Sequence, residues 1–391
     1  MYKKSLTFII LCLMLVAQTG TDIYLSSIPS IAENLNSSLS HIQYTFSIFL
    51  LGFAISQLFY GPMSDFTGRK PCALFGLGLY SVMALGCTIS ENAFFLLLFR
   101  FFQGIGAGGC TVSGRAMMQD SYSGKDLDAI NSYQSIVWSL VPILAPLAGS
   151  YVQEYLGWRY NFFIIFLISI FLWLFIKFFL NETHHKKEIT LNLKSIILDY
   201  QEFLKERRFV IHLLFAGLII STLSVFNLSA PVIIQKIYGY SALIYGWSIF
   251  FVAISFCLGS IISRLFQSKF KSIFFIKTGF SILLLAYILQ LLLYFKNPTE
   301  LTNFLIPILA YQFGCAVIFP SLAAETMRPI QQKIGKAAAL FGSVLFAISS
   351  LSSALVAKFL STSLIPYLAM NTFLIFVMAI LYLKLRKKFY A

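Results

Sequence analysis

The chain of 391 residues is 58% hydrophobic, and only 11% of it is Asp, Glu, Lys or Arg, where an ordinary soluble domain carries roughly 25%. Such a composition excludes water as the main solvent and leaves no room for a large soluble domain beside the apolar runs. The formal net charge of +14 would suit a nucleic-acid partner, but the basic residues fall where a membrane topology puts them.

A bilayer core about 30 Å thick needs roughly 20 mainly apolar residues per helical span. Runs of that length predict spans near 6–30, 42–61, 72–89, 93–115, 131–153, 159–180, 208–230, 241–263, 270–294, 301–322, 337–359 and 363–383. The first run follows Lys3 and Lys4 as a signal peptide would, but it has no small-x-small cleavage site, so it is expected to stay as an anchor. With the N-terminus inside, Arg159, Lys236, Lys296 and Lys358 fall outside and Arg100 falls within the fourth span; every other basic residue of the 29 lies at a cytoplasmic end or loop. This is the positive-inside asymmetry, which places both termini in the cytoplasm and makes the span number even. No nucleic-acid partner is then expected.

The polar stretch from Asn181 to Arg208 divides the spans six and six, and its interleaved Leu191, Ile196, Ile197 and Phe203 predict a short surface helix at the membrane face. The expected organisation is an N-terminal six-helix bundle (1–180), a cytoplasmic linker (181–207) and a C-terminal six-helix bundle (208–391). Repeated bundles with a site between them are how many secondary transporters are built. A faint repeat supports this, with GPMSD (61–65) after span 2 and GSIISR (259–264) after span 8.

Span 1 carries Asp22, which alone among the acids falls convincingly within a span; Asp65, Asp120 and Glu325 sit at cytoplasmic ends, and Glu33, Glu91, Glu154 and Glu300 outside. A proton-coupled carrier needs an intramembrane carboxylate, so Asp22 is the candidate proton site. Its competing role is a carboxylate bonded to Tyr24 or a serine to fix the helix. Counted from Lys4, it lies roughly 27 Å along the helix, in the outer part of the bilayer unless the span is tilted or sunk.

The segment GPMSDFTGRKP (Gly61 to Pro71) predicts a latch-like loop. Gly61 and Gly68 would allow a tight turn and close helix approach, Asp65 would cap a neighbouring helix N-terminus, and Arg69 and Lys70 would hold the loop inside. In span 4, Arg100 would cost about 3 kcal/mol or more facing lipid, so it is expected to point into the bundle, for coupling or for structural pairing. Glycines 104, 106, 108 and 109 would admit a close partner helix. Pro142, Pro146 and Gly149 mark span 5 as a bent packing helix.

The six cysteines (Cys12, Cys72, Cys87, Cys110, Cys257, Cys315) lie singly in apolar segments, and His41, His184, His185 and His212 do not cluster, so no metal site is expected. No G-x-x-x-x-G-K-[ST] loop exists, which excludes an ATP-driven pump on this chain. Most of the 41 Phe and 20 Tyr should face lipid or other helices. Polarity alone nominates Tyr24, Gln43, Tyr44, Asn227, Tyr311 and Gln312 for a substrate cavity.

The segment 61–71 resembles the signature between spans 2 and 3 of the major facilitator superfamily, departing at Phe66, where relatives usually carry arginine. RFFQGIGAGG (100–109) and VPILAPLAGS (141–150) resemble two signatures of its drug:proton antiporter branch, with Val141, Ala145 and Ser150 where three glycines are usual. Some relatives in that branch have another acid two turns before Asp22, where this chain has Met14 and Gln18. DIYLSSIP (22–29), RAMMQD (Arg115 to Asp120), GWR (157–159) and the set Pro320, Glu325, Gly335, Ala337 and Ala338 are together similar to the Bcr/CflA family of drug-resistance transporters. The departures there are Ser26, usually proline, and Gln119, usually a second arginine.

The resemblance implies an all-α membrane protein of about 12 transmembrane helices in two six-helix bundles with both termini cytoplasmic. It also implies a proton-coupled secondary transporter exporting drugs or small metabolites by alternating access, monomeric, in the bacterial inner membrane, with the proton gradient in place of any cofactor. Arg115 and Asp120 would join the latch. The alternatives are an importer or exporter of a specific nutrient or siderophore and, from another class, a multispan membrane enzyme. An enzyme would need clustered Asp, Glu, His or Ser in a cavity, where only Asp22 and Arg100 are available.

Overall fold

Every regular element is helical in the computed structural model, which describes residues 2–184, 193–298, 300–330, 333–359 and 363–389; no strand occurs among them. Twelve helices are long and apolar enough to cross a bilayer, so the chain is a multi-pass membrane protein. The first span is broken. Helix α1 (Tyr2–Asp22) passes through a 3-10 turn at Leu25–Ser27 into α2 (Ile28–Asn34). Pro29 stands in the first turn of α2, with no N–H for the Leu25 carbonyl and a ring that crowds it, which disfavours an unbroken helix at this point.

The remaining spans are α3 (Leu39–Thr67), α4 (Arg69–Thr88), α5 (Ala93–Ser121), α6 (Gly124–Tyr155) and α7 (Trp158–Phe179). After α8 (Leu193–Lys205) come α9 (Arg207–Val232), α10 (Ala242–Phe266), α11 (Ser272–Lys296), α12 (Leu301–Met327), α13 (Ile334–Phe359) and α14 (Ile365–Phe389). Several helices outrun their hydropathy limits, because a helix continues into the headgroup layer on polar residues that an apolar count omits. The first span reaches Asn34 rather than 30, so Asp22 lies just past the midpoint of the span Ser5–Asn34 and not in its outer part. The expected loop at 61–71 is also corrected. Helix α3 runs through GPMSDFT, and the turn is the single residue Gly68 at φ 105°, a conformation that favours glycine.

Of the linker, α8 is amphipathic, burying Ile196 and Phe203 and exposing Ile197 and Leu198. Leu191, His185 and the basic residues from Lys186 to 190 lie outside the described residues.

Helices α1 and α3–α7 pack among themselves, as do α9–α14, and two seams, α3 on α13 and α6 on α10, join the groups. Inside the first group small residues set the spacing. A Cβ on Gly106 of α5 would sit 2.6 Å from the Tyr80 backbone nitrogen of α4, and one on Gly104 would strike the Phe49 carbonyl of α3, so only glycine lets these helices meet. At the end remote from Arg69, bonds cross between the groups. Ser47 meets Ser353 at 2.8 Å, Ser350 donates to the Ser47 carbonyl at 2.7 Å, Gln235 donates to the Ser26 carbonyl at 2.9 Å, and Lys236 pairs with Glu33. That end is closed.

The break in the first span is held by α6 and α7. A Cβ on Gly149 would overlap the Ile23 carbonyl, and Asn161 donates from Nδ2 to Ser27 Oγ at 3.0 Å and to the Gly149 carbonyl at 3.3 Å. Gly149→Ala therefore forces a backbone shift, an overpacking expected to cost about 1–3 kcal/mol. Thermal unfolding of the purified protein should show a lowered midpoint. An unchanged midpoint would mean that this contact does not hold the break.

Candidate functional site

Asp22 ends α1 at the break and is 2% exposed. Its carboxylate meets the Gln18 side chain and lies within electrostatic reach of Arg100 and of Tyr245 on α10. Arg100, wholly buried on α5, donates from Nη1 to the Gly20 carbonyl at 2.9 Å and to Gln103 Oε1 at 2.7 Å. Its guanidinium lies 4.3 Å from the Tyr24 ring centroid, 4.2 Å from that of Phe49 and 5.8 Å from that of Phe162. Cation–π contacts of this kind strengthen when desolvated. Nε and Nη2 have no hydrogen-bond partner, and among the described residues no ion pair within 4 Å joins Arg100 to Asp22. A guanidinium is thus held in an aromatic box with part of its donor set unused, within electrostatic reach of the Asp22 carboxylate.

The cavity nominees divide. Tyr24 serves the box, its hydroxyl meeting Thr45 Oγ1 at 3.0 Å. Gln43 links the two groups, donating from Nε2 to the Leu228 carbonyl of α9 at 3.4 Å. Tyr44 and Asn227 are half-buried. Tyr311 and Gln312 are buried on α12 in the second group, where both amide atoms of Gln312 lack a partner and Tyr311 stands beside Thr222. The structure does not bring these two to Asp22. Buried amides and hydroxyls without partners also occur at Gln57, Ser221, Ser349 and Tyr245; such groups are costly unless something satisfies them. Pro142 and Pro146 lie inside α6, on the stretch that brings Gly149 to the break. Among the described residues no group of three or more His, Cys, Asp or Glu could hold a metal.

At the opposite, basic end, Arg69 opens α4. Its Nε donates to Asp120 Oδ2 at 2.7 Å, and its Nη1 donates to Ser64 Oγ at 2.7 Å and to Asp65. One planar guanidinium therefore ties the ends of α3, α4 and α5 together. Asp65 does not cap the neighbouring helix as expected, because Arg69 takes its carboxylate. The cap comes from Glu182, whose Oε1 accepts from the Arg69 amide at 2.9 Å and whose Oε2 accepts from the Lys70 amide at 3.3 Å. The Lys70 ammonium donates to the Lys177 carbonyl at 3.0 Å. Gly61 lies within α3 facing open space, with neither turn nor close approach to serve. Arg115 stands apart from the cluster, over Trp138 at 5.4 Å.

A similar junction forms in the second group: Glu325 accepts from Arg208 at 2.5 Å, from Ser272 at 2.9 Å and from Arg328 at 3.1 Å. Sequence reasoning missed Glu182, whose signal was only an acid two residues past the sixth span.

The sequence profile of the Major Facilitator Superfamily matches residues 10–354. The bicyclomycin resistance protein homolog of Haemophilus influenzae is 29% identical over 381 residues, 94% of each chain. Multidrug resistance protein MdtL of Salmonella heidelberg is 31% identical over 229 residues, 59% of this chain and 58% of that one. Among solved structures, a bacterial homolog of the human lysosomal transporter Spinster superposes with TM-score 0.77 at 14% identity, covering 99% of this chain and 97% of that one. A D-xylose–proton symporter superposes with TM-score 0.74 at 15% identity, covering 97% of each. At such identities the structures speak for the fold.

Arg100→Lys keeps the charge but cannot both bond Gly20 and Gln103 and stack in the box. Losing charge-assisted hydrogen bonds at a buried site should cost about 1.5–3 kcal/mol. A clearly lower unfolding midpoint is expected, with the conservative control Arg159→Lys near the parent. Equal midpoints for Arg100→Lys and the parent would remove the box from the account.

Proposed function

The chain belongs to the Major Facilitator Superfamily, and on that premise we propose that it exports drug-like compounds or small metabolites from the bacterial cytoplasm in exchange for protons, with Asp22 as the proton site. Resemblance to proteins named for bicyclomycin and multidrug resistance supports the substrate class and the outward direction. The observation that carries the coupling role is the burial of Asp22 at the break of the first span, within the field of an Arg100 that forms no ion pair within 4 Å among the described residues.

The mechanism follows from that geometry. An ionised Asp22 attracts Arg100 and pulls α1 and α5 together, whereas a protonated Asp22 leaves Arg100 to Gly20, Gln103 and the aromatic faces. The two protonation states therefore favour different arrangements of α1 against α5, and a proton bound from one side and released to the other biases the equilibrium. Residues 1–180 would rock against residues 208–391 about the two seams, with the linker 181–207 and both termini in the cytoplasm, as the basic charge directs. The protein would reside in the inner membrane and draw on the proton gradient alone. A proton crossing a 100 mV potential releases about 2.3 kcal/mol, enough for roughly a fortyfold gradient of a neutral substrate at one proton per cycle.

Asp22→Asn keeps shape and hydrogen bonding without a titratable proton. In proteoliposomes carrying a pH gradient, substrates drawn from a panel of drugs should lose uphill transport while exchange of the same compound down its own gradient persists. Uphill transport surviving in Asp22→Asn would assign coupling to another group.

A further inference from the structure

Pro62 lies inside α3, so it has no N–H to give the carbonyl one turn earlier, that of Leu58. An unpaired carbonyl in a spanning helix is costly. Here it is answered from outside the helix: Tyr200 of the linker helix α8 donates its hydroxyl to the Leu58 carbonyl at 3.1 Å. The neighbouring residue of α8 points the other way. Asp199, with its side chain 8% exposed, accepts from Lys333 at 2.5 Å and from Lys336 at 2.7 Å, at the entry of α13. The helix is also seated on α9 by Phe203 against Phe209, with ring centroids 6.1 Å apart. Thus α8 grips α3 of the first group and α13 of the second, the two helices that form one of the seams, at their basic ends.

We propose that α8 is a strap that limits how far the basic ends of α3 and α13 can part, keyed to the first group by Tyr200 at the carbonyl Pro62 leaves free and to the second by Asp199. The strap rests on the reading that the two groups move relative to each other, but its test requires no substrate. Both grips persist at cytoplasmic pH. Burial pushes the Tyr200 phenol up to about 12, so it remains a donor. The hydrogen bonds from Lys333 and Lys336 hold the Asp199 carboxylate below its usual range. A lowered folded value means that this contribution is complete above the ordinary aspartate range, near pH 4, and is lost only as pH falls through the lowered value.

The exposed Phe66 at the end of α3 and Ile334 at the start of α13 offer sites for Phe66→Cys and Ile334→Cys spin labels, in full-length protein with native cysteines replaced and in lipid nanodiscs. Electron–electron distance measurements should give one main population for the parent. Tyr200→Phe, and separately Asp199→Asn, should add a longer-distance component, with the population ratio shifted about fivefold for one lost hydrogen bond. Pro62→Ala restores an intrahelical N–H to Leu58, so adding Tyr200→Phe to it should produce little further change. An unchanged distribution in both Tyr200→Phe and Asp199→Asn would overturn the strap. So would a Tyr200→Phe effect of the same size with and without Pro62→Ala, because a merely loosened α8 would not depend on residue 62. Transport failing with the strap intact would instead count against the coupling reading alone.

Discussion

A single buried guanidinium organises the first group. Arg100 is wholly buried, so the surroundings must supply the interactions that water would. They do so from three helices besides its own. The break before Pro29 ends α1 at Asp22, so the Gly20 carbonyl lies in the last turn, where carbonyls lack intrahelical partners, and it is the carbonyl that receives Arg100 Nη1. Aromatic faces from the break, α3 and α7 then enclose the cation. Glycines at 104 and 106 bring α3 and α4 close enough to α5 for this box to form, and Gly149 with Asn161 pins the broken segment from behind. Proline, glycines and arginine are thus one device: a helix interrupted in the membrane, its free carbonyl used to hold a charge beside Asp22.

The basic ends are built on the same economy of charge. In the first group Arg69 collects Asp65 and Asp120 while Glu182 caps α4; in the second Glu325 collects Arg208, Arg328 and Ser272. Each junction fastens several helix ends with charge-assisted bonds, so each group can move as a unit. Contacts between the groups at the end remote from Arg69 are of another kind, made by serine hydroxyls, backbone carbonyls and the Lys236–Glu33 pair. Neutral bonds and exposed ion pairs contribute little individually, which suits the rocking proposed for the two groups.

Much of this was legible in the sequence because lipid imposes a harsh rule. A run of roughly twenty apolar residues is the length a bilayer demands and more than most soluble cores use, so the spans could be placed before any contact was known. Asp22 and Arg100 stood out for the converse reason, as charges where charge is expensive. What local pattern could not convey was partnership. The Gly20 carbonyl, Phe162, Thr45 and Glu182 act through contacts between residues far apart in sequence, and nothing in their immediate neighbours announces them. Gly61 misled because a glycine in a turn-like string suggests a turn, whereas the helix simply ran on to Gly68. Arg115 misled because its neighbours matched a signature while its side chain went to Trp138. Pro62 was visible as a letter, but its consequence, a carbonyl left for Tyr200, required the linker helix to be in place.

Infrared difference spectroscopy of the substrate-free protein in lipid bears most directly on the claim that Asp22 changes protonation within the field of Arg100. As pH is stepped, the account predicts that the carbonyl band of a buried carboxylic acid appears and disappears. That band should be absent in Asp22→Asn and displaced in its pH dependence by Arg100→Gln. A band that persists unchanged in Asp22→Asn, or one in the parent that ignores Arg100→Gln, would contradict it.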